Sequence, residues 1–186
     1  HAIAFARIFN KTHTDLYPDI RVTAIGGNFP EESEKVCAEC GVDFLAASPE
    51  EMLGRVDAIM VTARDGQWHA PFAQPFIEAG LPAFIDKPFT RDPREAVALA
   101  RLAKDKGVPL VGGSSVKYAW DVQLMKAAVE RARAAGEAIS GDVTAPVNMH
   151  NPYGNFYFYA SHLAEMSMTI FGYNPSSVMA YRSGDQ

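Results

Sequence analysis

Asp86-Lys87-Pro88 is the part of this 186-residue chain best suited to chemistry. It follows directly on the run Leu81-Pro82-Ala83-Phe84-Ile85. A lysine placed just after a buried strand has little freedom, and Pro88 fixes the backbone of the turn that follows. An ammonium held in this way can hydrogen-bond a ligand hydroxyl and stabilise the charge of a developing alkoxide. By position alone, a surface lysine at a strand end fits the same pattern. The second candidate is His162, in Ser161-His162-Leu163-Ala164-Glu165. An imidazole titrates near neutral pH and can take up or release a proton there. Glu165 lies one helical turn on, where a carboxylate can orient the ring. Leu163, Met166 and Ile170 around it fit a satisfied core histidine equally well. His13 and His150 lack such a setting and read as surface residues.

The two cysteines, Cys37 and Cys40, are spaced C-x-x-C, which raises redox and zinc chemistry. A zinc site needs a second ligand pair, and none follows nearby. A reactive pair works best at a helix N-terminus, where the dipole favours thiolate. Here the pair stands just before Gly41, a helix stop, so both thiols read as structural.

The elements that must position these groups alternate short β-rich runs with amphipathic helical stretches, the pattern of βαβ units around a parallel sheet. Helix is expected over 1–10, strand over 20–25, helix from Pro30 to Gly41, and a short strand over 42–45. Ser48 and Glu51 have capping-box spacing for a brief helix. Strand 57–62, helix 68–79, strand 81–85, a helix capped by Thr90 or Asp92 and ended by Gly107, and strand 108–111 follow. Beyond Tyr118 come a helix over 119–135, strand-like stretches at 138–147 and 177–181, and a helix over 160–171. In open parallel sheets ligands bind beyond the carboxyl ends of the strands. The polar groups standing there are Gly26 to Asn28, Thr62 to Asp65 with His69, Asp86 with Lys87, and Ser114 to Lys117.

Bulk composition narrows the partners. Hydrophobic residues make up 48% and charged residues 21%, which is ordinary for a folded chain. The formal charge of −5, with Lys and Arg scattered, gives no basic face for a nucleic-acid backbone. No apolar run approaches the roughly 20 residues of a membrane span, and no leader pattern stands at His1, so a cytoplasmic protein is expected.

The stretch Phe84-Ile85-Asp86-Lys87-Pro88-Phe89, with the helix from Asp92 to Lys106 and Val108-Pro109-Leu110-Val111-Gly112, resembles the Gfo/Idh/MocA (glucose–fructose oxidoreductase/inositol dehydrogenase) family. His1-Ala2-Ile3-Ala4-Phe5 is similar to that family's first helix just past its glycine loop, and Gly154 to Gly172 to its substrate-domain helix. The resemblance implies an α/β fold, a Rossmann-type doubly wound parallel sheet lacking its first strand and glycine loop here. The expected division is a nucleotide-binding domain over 1–117 and the start of an α+β substrate domain over 118–186. It further implies NAD- or NADP-dependent interconversion of an alcohol and a ketone on a sugar, cyclitol or related polyol. Lys87 would polarise the reacting oxygen and His162 would act as acid and base. Asn28, Thr62, His69, Asp86 and Lys87 would line the cofactor, and a homodimer or tetramer is expected by analogy.

Three positions depart from the family pattern. Asp86 replaces its usual Glu, and Phe158 stands where many members carry an Asp four residues before the histidine. Gly26-Gly27-Asn28 offers no acid for a ribose 2′-hydroxyl, so both NAD and NADP stay open. Without the glycine loop, the 186-residue chain alone is expected to be inactive. The alternative is a non-catalytic relative that binds a nucleotide or sugar as a sensor or assembly partner.

Overall fold

The computed structural model describes residues 1–181 and 183. It begins with α1 (Ala2–Arg7), which runs on into a π-helical turn over Ile8–Thr12. β1 (Ala24–Gly26) is shorter than the sequence predicts. The reason is visible at Val22, whose backbone N–H and C=O pair with the Asn10 side-chain amide, both at 2.8 Å, in place of a neighbouring strand. α2 (Pro30–Cys40) follows, with Pro30 in its first turn and Gly41 closing it in the left-handed conformation at φ 64°. Only a residue without a β-carbon adopts that φ at little cost.

β2 (Phe44–Ala46) and a 3₁₀ turn over Pro49–Met52 come next. The predicted capping box does not form. Glu51 accepts from the Ala47 N–H at 2.9 Å, whereas the Ser48 side chain caps nothing. β3 (Ile59–Val61), a 3₁₀ turn over Gly66–Trp68, α3 (His69–Glu78) and β4 (Ala83–Ile85) lead to the Lys87 turn. α4 (Pro93–Lys106) starts where Asp92 accepts from the Arg94 N–H at 2.8 Å and stops at left-handed Gly107. β5 (Leu110–Gly112) completes the strands, and a 3₁₀ turn over Ser115–Tyr118, α5 (Trp120–Ala134) and α6 (Tyr157–Phe171) follow.

All strand pairs are parallel. β1 pairs with β2, and β3, β4 and β5 form a second ladder in that order. Small residues let α3 and α4 close on the second ladder, around Val61, Ala70, Ala73, Ile77, Ala83, Ile85, Leu99 and Ala103. A smaller cluster of Ala6, Val36, Cys40 and Val42 packs α1 and α2 against β1. Fully buried Phe76 joins Ala46 and Met52 in a third cluster, to which β1, β2 and β3 contribute Ala24, Phe44 and Ile59. Cys40 thus serves the core, and burial pushes the Cys37 thiol up, away from thiolate.

The strands expected at 138–147 and 177–181 do not form. A strand needs a ladder partner for its backbone groups, and neither segment pairs with one among the described residues. Val178, Met179 and Tyr181 accordingly lie open to solvent. α5 and α6 pack on each other instead, with α6 also lying against the 3₁₀ turn after β5.

Candidate functional site

Because β3, β4 and β5 run in parallel, their carboxyl ends share one edge. Asp86 and Lys87 leave the end of β4, and the Asp86 N–H still bonds the Val61 carbonyl of β3 at 2.9 Å. Both residues are buried, at 8% exposure each. The Lys87–Pro88 peptide is cis. Asp86 Oδ1 accepts from the Lys87 backbone N–H at 2.8 Å, and Oδ2 meets the ring of His1.

A buried ammonium is costly unless its protons find partners. Lys87 Nζ donates to the Phe158 carbonyl at 3.1 Å and lies 3.9 Å from the centre of the Phe158 ring and 5.1 Å from that of Tyr159. The electron-rich faces of aromatic rings attract a cation at such distances. Phe158 therefore covers the lysine with a ring face and a carbonyl. Burial draws the Lys87 pKa below the usual lysine range, and the nearby Asp86 charge opposes this in part.

His162 comes to the same place from α6. Its Nδ1 lies 2.6 Å from the hydroxyl of Ser114, which follows β5 and is fully buried. One helical turn on, Glu165 Oε1 accepts from the Ser114 N–H at 2.7 Å, and Oε2 pairs with Lys117 Nζ at 3.0 Å. Lys117 also donates to the Gly112 carbonyl at 2.8 Å. Burial and the Lys87 charge lower the His162 pKa, against opposing pulls from Glu165 and Asp86. Burial also depresses Lys117, but its bond to Glu165 and that charge outweigh it, and the net shift is upward.

Two glycines make this approach feasible. A β-carbon on Gly112 would fall 1.9 Å from the Ile85 carbonyl oxygen, and one on Gly113 would fall 2.5 Å from Glu165 Oε1.

The loop after β3 lies alongside. His69 is fully buried, with Nδ1 at 2.7 Å from the Pro88 carbonyl and Nε2 at 2.9 Å from the Ala63 carbonyl. Both nitrogens face backbone carbonyls, and a neutral ring donates its one N–H to one of them. His69 thereby ties the β3 loop to the lysine turn. Asp65 adds a second tie by pairing with Arg91 at 3.3 Å, while Gly66 lies directly under Pro88. Arg64 reaches Glu32 on α2 at 3.0 Å and the Tyr153 hydroxyl at 3.2 Å. Thr62 is half-buried and Asn28 exposed.

The structure thus brings Lys87, Asp86 and His162 together and adds Ser114, Glu165, Lys117 and the Phe158 ring. Thr62 borders the group, whereas Asn28 stands apart beyond β1. His13 and His150 are exposed. Sequence reasoning placed Ser114 and Lys117 on the correct edge but assigned them no partner. Nothing local links them to a helix some fifty residues on.

Parallel βαβ units with polar groups gathered at the strand ends define a Rossmann-type nucleotide-binding fold. Residues 3–114 match the family model described as the oxidoreductase family with an NAD-binding Rossmann fold. The chain belongs to this Gfo/Idh/MocA family. It is 37% identical over 82 residues to the myo-inositol dehydrogenase Hyg17 of Streptomyces leeuwenhoekii, covering 44% of this chain and 25% of that protein. A Sinorhizobium meliloti structure assigned as a myo-inositol dehydrogenase superposes with a TM-score of 0.68 at 21% identity, over 94% of this chain and 52% of the other. The scyllo-inositol dehydrogenase of Lactobacillus casei gives 0.59 at 16% identity, over 70% and 38%. The chain therefore spans about a quarter to a half of the length of these relatives.

Proposed function

We propose that the protein interconverts an alcohol and a ketone on a small polyol, a cyclitol or sugar, with NAD or NADP as its partner in hydride transfer. What supports this reading is the meeting of Lys87 and His162, from separate halves of the chain, at the carboxyl ends of β4 and β5. Residues 1–117 would serve the nucleotide, and 118–186 would begin the substrate domain. The names of the inositol dehydrogenase relatives favour a polyol.

The residues present fit the cofactor in part. The half-buried Thr62 hydroxyl and the exposed Asn28 amide stand at strand ends with no side-chain partner among the described residues, suited to ribose or nicotinamide groups. No G-x-G-x-x-G loop for a pyrophosphate occurs among the 186 residues. When bound, the nicotinamide supplies the acceptor or donor of hydride.

The chain's own residues handle the oxygen. Lys87 carries two protons beyond the one on the Phe158 carbonyl and would direct one of them at the reacting oxygen, stabilising alkoxide character. His162 would give or take that oxygen's proton through Nε2, the corner of the ring opposite Ser114. His69 and Asp86 would hold the lysine turn, and Phe158 would exclude water from one side.

The test is turnover of a polyol panel by the full-length protein with each nicotinamide, followed by reduced-cofactor absorbance. Lys87→Ala should lower kcat/KM about a hundredfold or more. Polyol oxidation that survives this change would overturn the assignment. Clean binding of nucleotide with no turnover by any polyol would favour a sensor.

A further inference from the structure

We infer that Ser114 is a positioning residue that donates its hydroxyl hydrogen to Nδ1 of His162, holding the neutral ring with its proton on Nε2. The inference rests on the reading of His162 as the group facing substrate oxygen.

It follows from accounting for one hydrogen. Ser114 is fully buried, so water cannot satisfy its hydroxyl. The oxygen already accepts from the Val116 N–H at 3.2 Å, as the cap of the 3₁₀ turn. Its own hydrogen still needs an acceptor, and among the described residues its one other partner is His162 Nδ1 at 2.6 Å. A neutral imidazole has one N–H and one bare nitrogen. If Nδ1 is bare it receives the seryl hydrogen, and Nε2 carries the proton. If Nδ1 is protonated, the seryl hydrogen has no acceptor and a buried hydroxyl is left unmatched.

The seryl oxygen is itself fixed. Glu165 grips the Ser114 N–H at 2.7 Å, and Lys117 clamps both Glu165 and the Gly112 carbonyl. The charged and titratable groups around the ring are Lys87 and Asp86 beyond β4, Lys117 beyond β5, and Glu165 and Tyr159 on α6. Lys87 opposes imidazolium while Glu165 and Asp86 favour it. The serine adds a further, short-range preference for the neutral ring.

A ring so held meets an incoming oxygen as a donor. A carbonyl oxygen then receives hydrogen bonds from both Lys87 and His162. An alcohol hydroxyl that must give up its proton needs a bare Nε2, and this turns Ser114 into an acceptor with its own hydrogen stranded. The resting site is therefore set for the ketone.

The experiment is a nitrogen-15 NMR titration of the full-length protein labelled on histidine, with His162→Gln identifying the resonance. In the wild type Nδ1 should read as bare and Nε2 as protonated; the opposite tautomer overturns the inference without any variant. Ser114→Ala, which removes the donor to the neutral ring, should raise the His162 pKa by about one pH unit. Ser114→Thr, which keeps the hydroxyl, should restore the wild-type titration. A fall or no change in Ser114→Ala refutes the donation, since a serine that accepts would have stabilised the protonated ring. None of these readouts needs turnover, so their failure is separable from failure of the dehydrogenase reading.

Discussion

Replacing Glu165 separates two interactions that hold the site. Its carboxylate accepts the Ser114 N–H at 2.7 Å and pairs with Lys117 at 3.0 Å. The first is a charge-assisted bond to a fully buried residue and should contribute about 1.5–3 kcal/mol. The second joins side chains that are 17% and 23% exposed. With solvent screening discounted, it contributes about 1 kcal/mol. Glu165→Ala loses both and leaves the Ser114 N–H without an acceptor, so stability should fall by about 2.5–4 kcal/mol. Glu165→Gln keeps an acceptor oxygen but not the charge and should lose about 1 kcal/mol. Urea denaturation of the full-length protein gives both differences. The Gln variant should also lower the His162 pKa further, because Glu165 is one of the groups that hold it up. Equal losses in the two variants would show that the Ser114 bond contributes nothing. An Ala variant as stable as wild type would refute the bracing role altogether.

Three further outcomes are expected. Gly112→Ala places a methyl 1.9 Å from the Ile85 oxygen, so β5 must move off β4; denaturation should show a loss of about 3 kcal/mol, at the upper end of overpacking, and polyol turnover should fall with it. His69→Phe keeps an aromatic ring but strips one backbone carbonyl of the imidazole N–H it accepts; it should cost about 1–3 kcal/mol, and unchanged stability would deny the tie. The folded pKa of His162 is depressed, so its contribution to stability is present above the ordinary histidine value of about 6.5 and is lost as pH falls through the depressed value. His162→Gln should flatten that acid-side slope in a series of melts at different pH.

Helices were the most legible part of the sequence. Pro30, Gly41 and Gly107 act through their own backbones and Asp92 through a side chain that caps the turn beside it, so their signals are local and α2 and α4 start and stop where expected. Strand edges were less so, because pairing decides them. At Val22 a side-chain amide takes the place of a ladder, and 138–147 and 177–181 lack any partner strand among the described residues. At the site, Asp86-Lys87 could be read from the strand before it. The role of His69 could not, since burial of both its nitrogens depends on a turn nineteen residues away. The seryl partner of His162 was likewise invisible until β5 and α6 were brought together.

On the proposed reading of Lys87 as the group that meets a substrate oxygen, the Phe158 cover also bears on the entropy of binding. A lysine side chain free in water carries roughly 2 kcal/mol of rotamer freedom. Here the carbonyl and the two ring faces confine it already in the folded chain. That loss belongs to folding rather than to ligand capture. An oxygen arriving at Nζ therefore meets an ammonium that has little disorder left to surrender.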